Sequence, residues 1–391
     1  MRSLSESAAG TTKRTGILLT VCGGILALAA VPSQAADLVI TSLTDNGVMT
    51  WTYPSNGVSE YRIEWASDLL LGDWTDTEHG FRGISPTGGV MSAHVPMFYR
   101  VKAMGTQPVD MVYIPAGRFD MGDTYSEGST NERPVHSVYV SAFYMDRYEV
   151  SKAKWDEVAT WAATNGYDIS AAGGSGKAAD HPVWDVTWYE AVKWCNARSE
   201  KEKLTPAYYT STQLIPAYVY KTGTQNLAND WVRWDAGYRL PTEAEREKAA
   251  RGGHVRHRFA WPDADTISHE RANYNAGIGG YDLSTGGYHP AYTNDPTPYT
   301  CPVGSFAPNG YGLYGVCGNL GEWCWDWYSE TYYQWSETMD PVGPGSGTER
   351  VTRDSSWDHD ASLCRVGRRG NSVPTRDSDN LGFRTVLPSR P

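Results

Sequence analysis

The chain has 391 residues and a formal net charge of −11, from 34 Lys and Arg against 45 Asp and Glu. A nucleic-acid-binding face needs a basic stripe, and because none is visible along the sequence we do not expect nucleic acid as a partner. The 16 Trp, 25 Tyr and 40 Gly, against 7 Phe, favour aromatic surfaces and many turns over long helices.

The N-terminus is typical of a secretory signal. Lys13 and Arg14 precede an apolar run over 16–31, which is shorter than the roughly 20 residues that a membrane span prefers. The following "PSQAAD" places Ser33 and Ala35 where small residues permit cleavage. We therefore predict that residues 1–35 are a signal peptide and that no membrane span remains after cleavage. The protein is then exported, and is periplasmic, cell-surface or secreted.

Residues 36–104 consist of short alternating runs, among them "VMTWTY", "YRIEWA" and "FYRVKA", separated by turn clusters such as "TDNG". This pattern predicts a small all-β module, a sheet or sandwich. It contains no catalytic cluster, so we interpret it as structural or adhesive. Residues 105–110, "GTQPVD", are the predicted linker to a second domain at 111–388.

The second domain is predicted to contain both strands and helices. "MVYIPAGRFDM" and "HSVYVSAFYMDRYEVS" read as strands, and the periodicity of "WYEAVKWCNARSEKE" predicts a helix from Trp188 that buries Cys195. A second helix is predicted in "LPTEAEREKAARGG", with Thr242 as N-cap, Glu245 as its capping-box partner and Gly252 after its end. The Gly-, Asn- and aromatic-rich text of 261–333 is predicted to be loop.

Six ordered stretches of this domain resemble the formylglycine-generating enzyme family, also called sulfatase-modifying factors. They are "MVYIPAGRFDMGD", "FYMDRYEVS", "HPVWDVTWYEAVKWC", "YRLPTEAEREKAARGG", "PNGYGLYGVCGNLGEW" and "DNLGFR". The resemblance spans about 108–388 and implies that family's loop-rich α+β fold, which is related to C-type lectins.

The resemblance also implies an activity and a site. Family members use O2 to oxidise a cysteine in a sulfatase's Cys-x-Pro-x-Arg motif to formylglycine, with copper held by two cysteine thiolates. When Ser356 of "DSSW" is matched to the family's serine, the two cysteines fall at His359 and Cys364. Cys364, His359 and Ser356 are therefore the candidate catalytic residues, and one copper ligand is replaced.

Two interpretations of this replacement remain open. Imidazole also ligates copper, so His359 and Cys364 can form an altered metal site, oriented by Asp358 or Asp360, in an enzyme that matures sulfatases. Alternatively the site has lost copper, and the domain is a catalytically silent, calcium-stabilised, lectin-like module that binds a protein, a peptide or a glycan. We favour the loss, because sites with two ligands are rarely strong unless substrate completes them.

The resemblance implies two calcium sites built from hard oxygen donors. The first maps to the side chains of Asn273 and Asp295 and the carbonyls of Tyr274 and Thr297. The second maps to the carbonyls of Gly318 and Leu320 and the carboxylate of Glu322, with Gly315 where the family has asparagine. We expect the first site to be intact and the second to be weakened.

Other departures concern disulfides and the substrate groove. The family's two bridges map to Cys195 with Thr385 and to Ala250 with Arg369, so neither can form. A tryptophan that helps to shape the family's groove is replaced by Gly321. The aromatic residues Trp323, Trp325, Trp327, Tyr328 and Trp357 are either a binding platform or core, and core packing is the commoner role of such a cluster.

Overall fold

The structure is a computed structural model that describes residues 108–277, 280–294, 296–353 and 355–389, and the backbone of strands between 18 and 104. Contacts divide the chain into two compact units, one reaching Gln107 and the other running from Pro108 to Arg390. Within the described residues, no helix is both long and apolar enough to cross a bilayer.

The first unit is built from strands only, as far as it is described. Its strands are β1 (Leu18–Cys22), β2 (Ile25–Ala29), β3 (Val39–Leu43), β4 (Val48–Thr52), β5 (Glu60–Trp65), β6 (Thr75–Asp76), β7 (Ser85–Thr87), β8 (Val90–His94) and β9 (Tyr99–Met104). They form antiparallel sheets in the orders β1-β2, β3-β4-β8-β7 and β6-β5-β9. The sheets predicted for residues 36–104 are confirmed. The signal peptide stays a prediction. The linker also stays a prediction, and its residues 105–107 lie outside the described residues.

In its described residues, the second unit combines three α-helices with short strands. The elements are β10 (Met111–Ile114), β11 (Gly117–Met121), β12 (His136–Val140), β13 (Phe143–Asp146), α1 (Lys152–Ala163), α2 (Trp188–Lys201), α3 (Glu243–Ala250), β14 (Gly321–Trp327), β15 (Arg350–Arg353), β16 (Arg369–Ser372), β17 (Leu381–Gly382) and β18 (Val386–Pro388). The sheets have the orders β10-β13-β18, β11-β12 and β16-β15-β14-β17, and only β14 and β17 pair in parallel. This is the predicted α+β, loop-rich architecture.

The helices begin at the capping signals of the sequence. Thr242 Oγ1 accepts from the Glu245 N–H at 3.2 Å, and Glu245 Oε2 accepts from the Thr242 N–H at 2.8 Å, so the predicted capping box of α3 is confirmed. The predicted α2 is also confirmed, with Cys195 fully buried. We did not predict α1, although Ser151 caps it and its buried residues, from Trp155 to Ala162, have helical spacing.

Aromatic packing joins α1 to α2. The indoles of Trp155 and Trp194 are stacked, with centroids 6.2 Å apart, and Phe383 presents its ring edge-on to both. All three side chains are almost fully buried. Offset and edge-to-face contacts of this kind stabilise cores beyond their area burial, so they fix how the two helices pack.

Every residue of α3 is buried, including its charges, because arginines from other elements pair with its acids. Glu243 accepts from Arg369 at 2.6 Å and from Arg353 at 3.0 Å, and Glu247 accepts from Arg353 at 2.7 Å. Buried carboxylates need such partners, since desolvating an unpaired charge is costly. Arg369, at one family disulfide position, thus provides an ion pair.

The other disulfide position is also filled by polar contacts. Thr385 Oγ1 donates to Asp146 at 2.5 Å and accepts from Arg198 at 2.9 Å. The five cysteines of the second unit are free and buried, which confirms that neither family bridge forms.

The segment 261–333 is mostly loop, as predicted, but it contains β14, which we missed. All seven residues of β14 are buried. Because both faces of the strand are covered, its sequence "GEWCWDW" lacks the polar-apolar alternation of a half-exposed strand. Trp323, Trp325 and Trp327 are therefore core residues.

Candidate functional site

The segment that carries the candidate residues is held by backbone hydrogen bonds. The N–H of Trp357 donates to the Asn319 carbonyl at 2.9 Å, and the N–H of His359 donates to Ser356 at 3.1 Å. Asp360 then caps a 3-10 turn, Ala361–Cys364, by accepting from the Ser362 N–H at 2.8 Å. The turn places the side chain of Cys364 in the core.

The Cys364 thiol is buried and has a neutral partner. The residue is 1% exposed, and its Sγ lies 2.6 Å from the hydroxyl oxygen of Ser355. Burial raises the pKa of this thiol well above its ordinary value, against a smaller opposing effect of the Ser355 hydrogen bond. The sulfur is thus a protonated thiol at neutral pH.

The serine beside Cys364 is not the one we singled out. Ser356 is fully buried, and its hydroxyl donates to the Asp358 carboxylate instead. Ser355 is its neighbour in "DSS", and the sequence contains no signal that distinguishes the two roles.

His359 is half-buried and neutral. Its carbonyl accepts from the Asn275 N–H at 2.9 Å. Burial lowers the pKa of its imidazole, although Asp358 acts in the opposite direction. Asp358 accepts from Ser356 and Asn380, and Asp360 accepts from Ser362, so within the described residues neither carboxylate is hydrogen bonded to the imidazole.

The pair fits copper only in part. A neutral imidazole is the form that ligates a metal, but the Cys364 thiol must first lose a proton that its buried surroundings retain. In the described part of the chain, no three or more His, Cys, Asp or Glu side chains are arranged to hold a metal. Whether His359 and Cys364 reach one ion together stays a prediction.

Three aromatic rings lie beside this segment. The centroid of Tyr288 is 4.9 Å from that of Tyr299 and 5.7 Å from that of Trp357, and Tyr299 and Trp357 are 5.3 Å apart. Tyr288 is 40% exposed, whereas Trp357 is 5% exposed. We call these three residues the aromatic surface. Only Trp357 was among the aromatic residues that we selected from the sequence.

The backbone places the aromatic surface next to His359. Gly287, which precedes Tyr288, exchanges two hydrogen bonds with Ala276 at 2.7 and 2.9 Å. The preceding residue, Asn275, is the one bonded to the His359 carbonyl. An exposed aromatic ring and a neutral imidazole therefore lie on neighbouring loops.

The first predicted calcium site contains an orphaned oxygen. Asn273 is 1% exposed, its amide nitrogen donates to the Tyr299 carbonyl at 2.7 Å, and its Oδ1 has no hydrogen-bond partner among the described residues. The Tyr274 carbonyl lies 3.1 Å from His269 Nε2 and Thr297 is exposed, while Asp295 lies outside the described residues. A buried acceptor without a donor is unfavourable, so Asn273 fits a cation ligand.

The second predicted calcium site does not fit in the same way. Glu322 is fully buried and accepts from Arg246 Nε at 2.7 Å and from Arg384 Nη2 at 2.7 Å. Each of its oxygens has guanidinium donors, so the counter-charge that Ca2+ would supply is already present. Gly318 and Leu320 are buried beside it.

The chain is similar to proteins of one known family. Residues 99–388 match the family described as "Sulfatase-modifying factor enzyme 1-like domain". A formylglycine-generating enzyme of Streptomyces coelicolor is 36% identical over 285 residues, which cover 70% of this chain and 87% of that protein. The chaperone protein LppX of Paenibacillus barcinonensis is 31% identical over 285 residues, which cover 71% of this chain and 89% of its own.

A solved structure supports the same fold. The variable protein 1 of Treponema denticola superposes with a TM-score of 0.54 at 27% identity, covering 79% of this chain and 98% of its own. The likeness thus extends over about four-fifths of this chain.

Proposed function

The chain belongs to the sulfatase-modifying factor family, and from that premise we propose that it binds a segment of another protein without oxidising it through a copper-thiolate pair. The observation that carries this proposal is the state of Cys364. Its thiol is buried and hydrogen bonded to a neutral hydroxyl, and the position five residues before it holds an imidazole instead of a second thiolate.

The aromatic surface supports a binding role. Tyr288 has an exposed ring backed by Tyr299 and Trp357, and such amphipathic rings supply contact area at low cost in conformational entropy. Among the relatives, one is named an enzyme that generates formylglycine and another is named a chaperone protein. A protein segment is therefore the partner that we favour over a glycan. Export of the protein, and a sulfatase as its partner, remain part of this proposal.

Incubation of the protein with a Cys-x-Pro-x-Arg peptide, copper and O2 is expected to give no formylglycine by mass spectrometry. The reason is that only one of the family's two cysteines, Cys364, is present. His359→Cys restores the second thiol and is expected to give more product than the unaltered chain. An active family member in the same buffer is the positive control. Formylglycine from the unaltered chain at the rate of that control would overturn the proposal.

Binding is measured separately, by fluorescence anisotropy of a labelled peptide. Tyr288→Ala is expected to weaken binding about tenfold, because one exposed aromatic contact is commonly worth about 1 to 3 kcal/mol at an interface. Cys364→Ser is the matched control and is expected to leave affinity unchanged. If glycans bind and peptides do not, the partner is a glycan and this part of the proposal fails.

A second candidate function is a copper oxidase that uses His359 and Cys364. The lowered pKa of His359 favours it, because the imidazole is neutral and free to ligate copper near pH 7. In that case Cys364→Ser and His359→Ala each abolish product formation by the unaltered chain. The assay above separates the two candidates.

We also propose that Ca2+ binds at the first site, through Asn273, Tyr274, Asp295 and Thr297. The orphaned Oδ1 of Asn273 supports this. Calcium at 100 times its Kd is expected to stabilise the fold by about 2.7 kcal/mol. Asn273→Ala is expected to remove the shift in Tm, whereas Asn165→Ala, at an exposed position, retains it. An equal shift in Asn273→Ala would contradict the site.

The copper, the second calcium site and the cellular location stay predictions. At Glu322, the paired arginines argue against a cation. A Ca2+ titration that gives a single site, lost in Asn273→Ala, agrees with this arrangement.

A further inference from the structure

We propose that a cavity at the C-terminal end of α3 is a binding site for a sulfate or phosphate group. The cavity has a volume of about 230 Å³. Its charged lining residues are Arg118, Asp120, Lys248, Arg251 and Arg256, and His254 also lines it. It lies on different residues from the candidate site.

The guanidinium group of Arg251 is held in place by hydrogen bonds within the fold. Arg251 is 5% exposed, and its Nε and Nη2 donate to Glu247 at 3.0 and 2.7 Å. Nη2 also donates to the Gly122 carbonyl at 2.7 Å. These bonds hold the group in one orientation, and within the described residues its Nη1 has no acceptor. A fixed N–H donor therefore remains for a ligand.

Two further arginines complete the donor set. Arg118, on β11, and Arg256, in the loop after α3, are exposed and form no ion pair with a described residue. The guanidinium group presents its N–H donors in a planar fork that matches the oxygens of phosphate or sulfate. Three such groups around one small cavity favour a tetrahedral oxyanion over a carboxylate.

The charge balance of the cavity is positive although the chain is acidic overall. Two acidic residues oppose the charge of the three arginines. Asp120 is exposed, and Glu247 is paired with both Arg251 and Arg353. The last carbonyls of α3, at Ala249 and Ala250, accept from the Asn309 amide at 2.8 and 3.2 Å. Those oxygens are thus satisfied by a donor, which limits their repulsion of an anion.

The size of the cavity indicates what part of a ligand enters it. A volume of about 230 Å³ is smaller than the roughly 300–1,000 Å³ of sites for drug-sized ligands. Gly253, with φ +81°, closes one wall, where an added Cβ would lie 3.3 Å from the Tyr311 ring. The cavity therefore accommodates one ester sulfate or phosphate, with the rest of the molecule outside.

Isothermal titration of the full chain with inorganic sulfate and inorganic phosphate at low ionic strength tests the site. We expect saturable binding that weakens as NaCl is added, because salt screens exposed charges. Arg118→Gln and Arg256→Gln are each expected to lower affinity about tenfold, the value of one hydrogen bond to a charged group. Asp120→Asn is expected to raise affinity, because it removes an exposed carboxylate that lines the cavity.

The controls distinguish a built site from diffuse charge attraction. Lys203→Gln removes an exposed cation that does not line the cavity, and it is expected to leave affinity unchanged. A sugar sulfate and a sugar phosphate, each against the unmodified sugar, show which ester the cavity takes. Absence of binding by all four anions, or equal losses in Lys203→Gln and Arg256→Gln, would overturn the proposal.

Discussion

Glu322→Gln is expected to destabilise the second unit by about 3–5 kcal/mol, and it is one of the two largest effects that the structure predicts. Both oxygens of Glu322 accept from buried guanidinium groups, at distances from 2.7 to 3.2 Å. Although burial alone would raise it, Arg246 and Arg384 together hold the pKa of Glu322 below its ordinary value. The neutral amide leaves two buried cations without their shared counter-charge.

The consequence extends beyond the sheet that contains β14, because Arg384 also donates to backbone carbonyls of other segments. Its Nη2 bonds the Tyr314 carbonyl at 2.9 Å, and its Nη1 bonds the Asp146 carbonyl at 3.3 Å. Glu322, on β14, therefore fixes an arginine that joins the end of β13 to the loop before β14. Loss of that orientation affects both elements.

Urea denaturation followed by circular dichroism measures the effect. Asp263→Asn is the matched control, because the Asp263–Arg271 pair has a similar contact of 2.7 Å but an Asp263 side chain that is 62% exposed. Exposed pairs contribute about 0–1 kcal/mol, so we expect a small change there. Similar losses in the two variants would contradict the argument, and aggregation of Glu322→Gln during refolding would agree with it.

Local signals account for the parts of the fold that were predictable. Each capping box, at Thr187 and at Thr242, involves only four consecutive residues of the sequence. Both boxes lie at helix starts in the structure. By contrast β14 is defined by burial on both faces, which is a tertiary property. The helix α1, which we did not predict, has local signals in the sequence, namely the cap Ser151 and the helical spacing of its buried residues.

The candidate site, like the fold, was predictable only in part. Matching motifs identified Cys364 and His359, but the environment of each side chain depends on distant segments. Ser355 contacts the thiol only because β15 and the following 3-10 turn bring them together, and Tyr288 reaches Trp357 from a loop some 70 residues earlier in sequence. Spacing along the chain contains no information on such contacts.

The second large effect concerns Glu149, a buried carboxyl that has no arginine partner among the described residues. Glu149 is 3% exposed, and its oxygens accept from the Asn319 amide at 2.9 Å and from the Leu320 N–H at 3.2 Å. Burial, and then the nearby charge of Glu322, raise its pKa from 4.5 to about 8. At neutral pH the folded protein therefore retains a proton that the unfolded chain has released.

The direction of the pH dependence follows from linkage. Between pH 4.5 and 8 the folded state binds more protons than the unfolded state at Glu149, so the free energy of unfolding falls as pH rises. The contribution is fully present below pH 4.5 and is lost as pH passes 8. A shift of this size corresponds to about 5 kcal/mol at most. Asp326, whose pKa burial also raises, acts in the same direction.

Glu149→Gln is expected to be more stable than the unaltered chain at pH 8 and no more stable at pH 5. The amide has no proton to lose, so its stability does not depend on pH through this position. The measurement is the difference in unfolding free energy between the two proteins at each pH, in the presence of a chelator. Taking the difference cancels the opposite dependence of His289 and His359, whose pKa values burial lowers. A difference that stays constant from pH 5 to 8 would show that Glu149 titrates normally.

Calcium supplies a further test of the same carboxyl. Glu149 and Asn273 line one small cavity, of about 20 Å³, which is large enough for a single water. A cation bound at Asn273 favours the ionised form of a neighbouring carboxylate and lowers its pKa. The advantage of Glu149→Gln at pH 8 is therefore expected to shrink when Ca2+ replaces the chelator. If the advantage is the same in both buffers, Ca2+ does not bind beside Glu149, and the orphaned oxygen of Asn273 needs another partner.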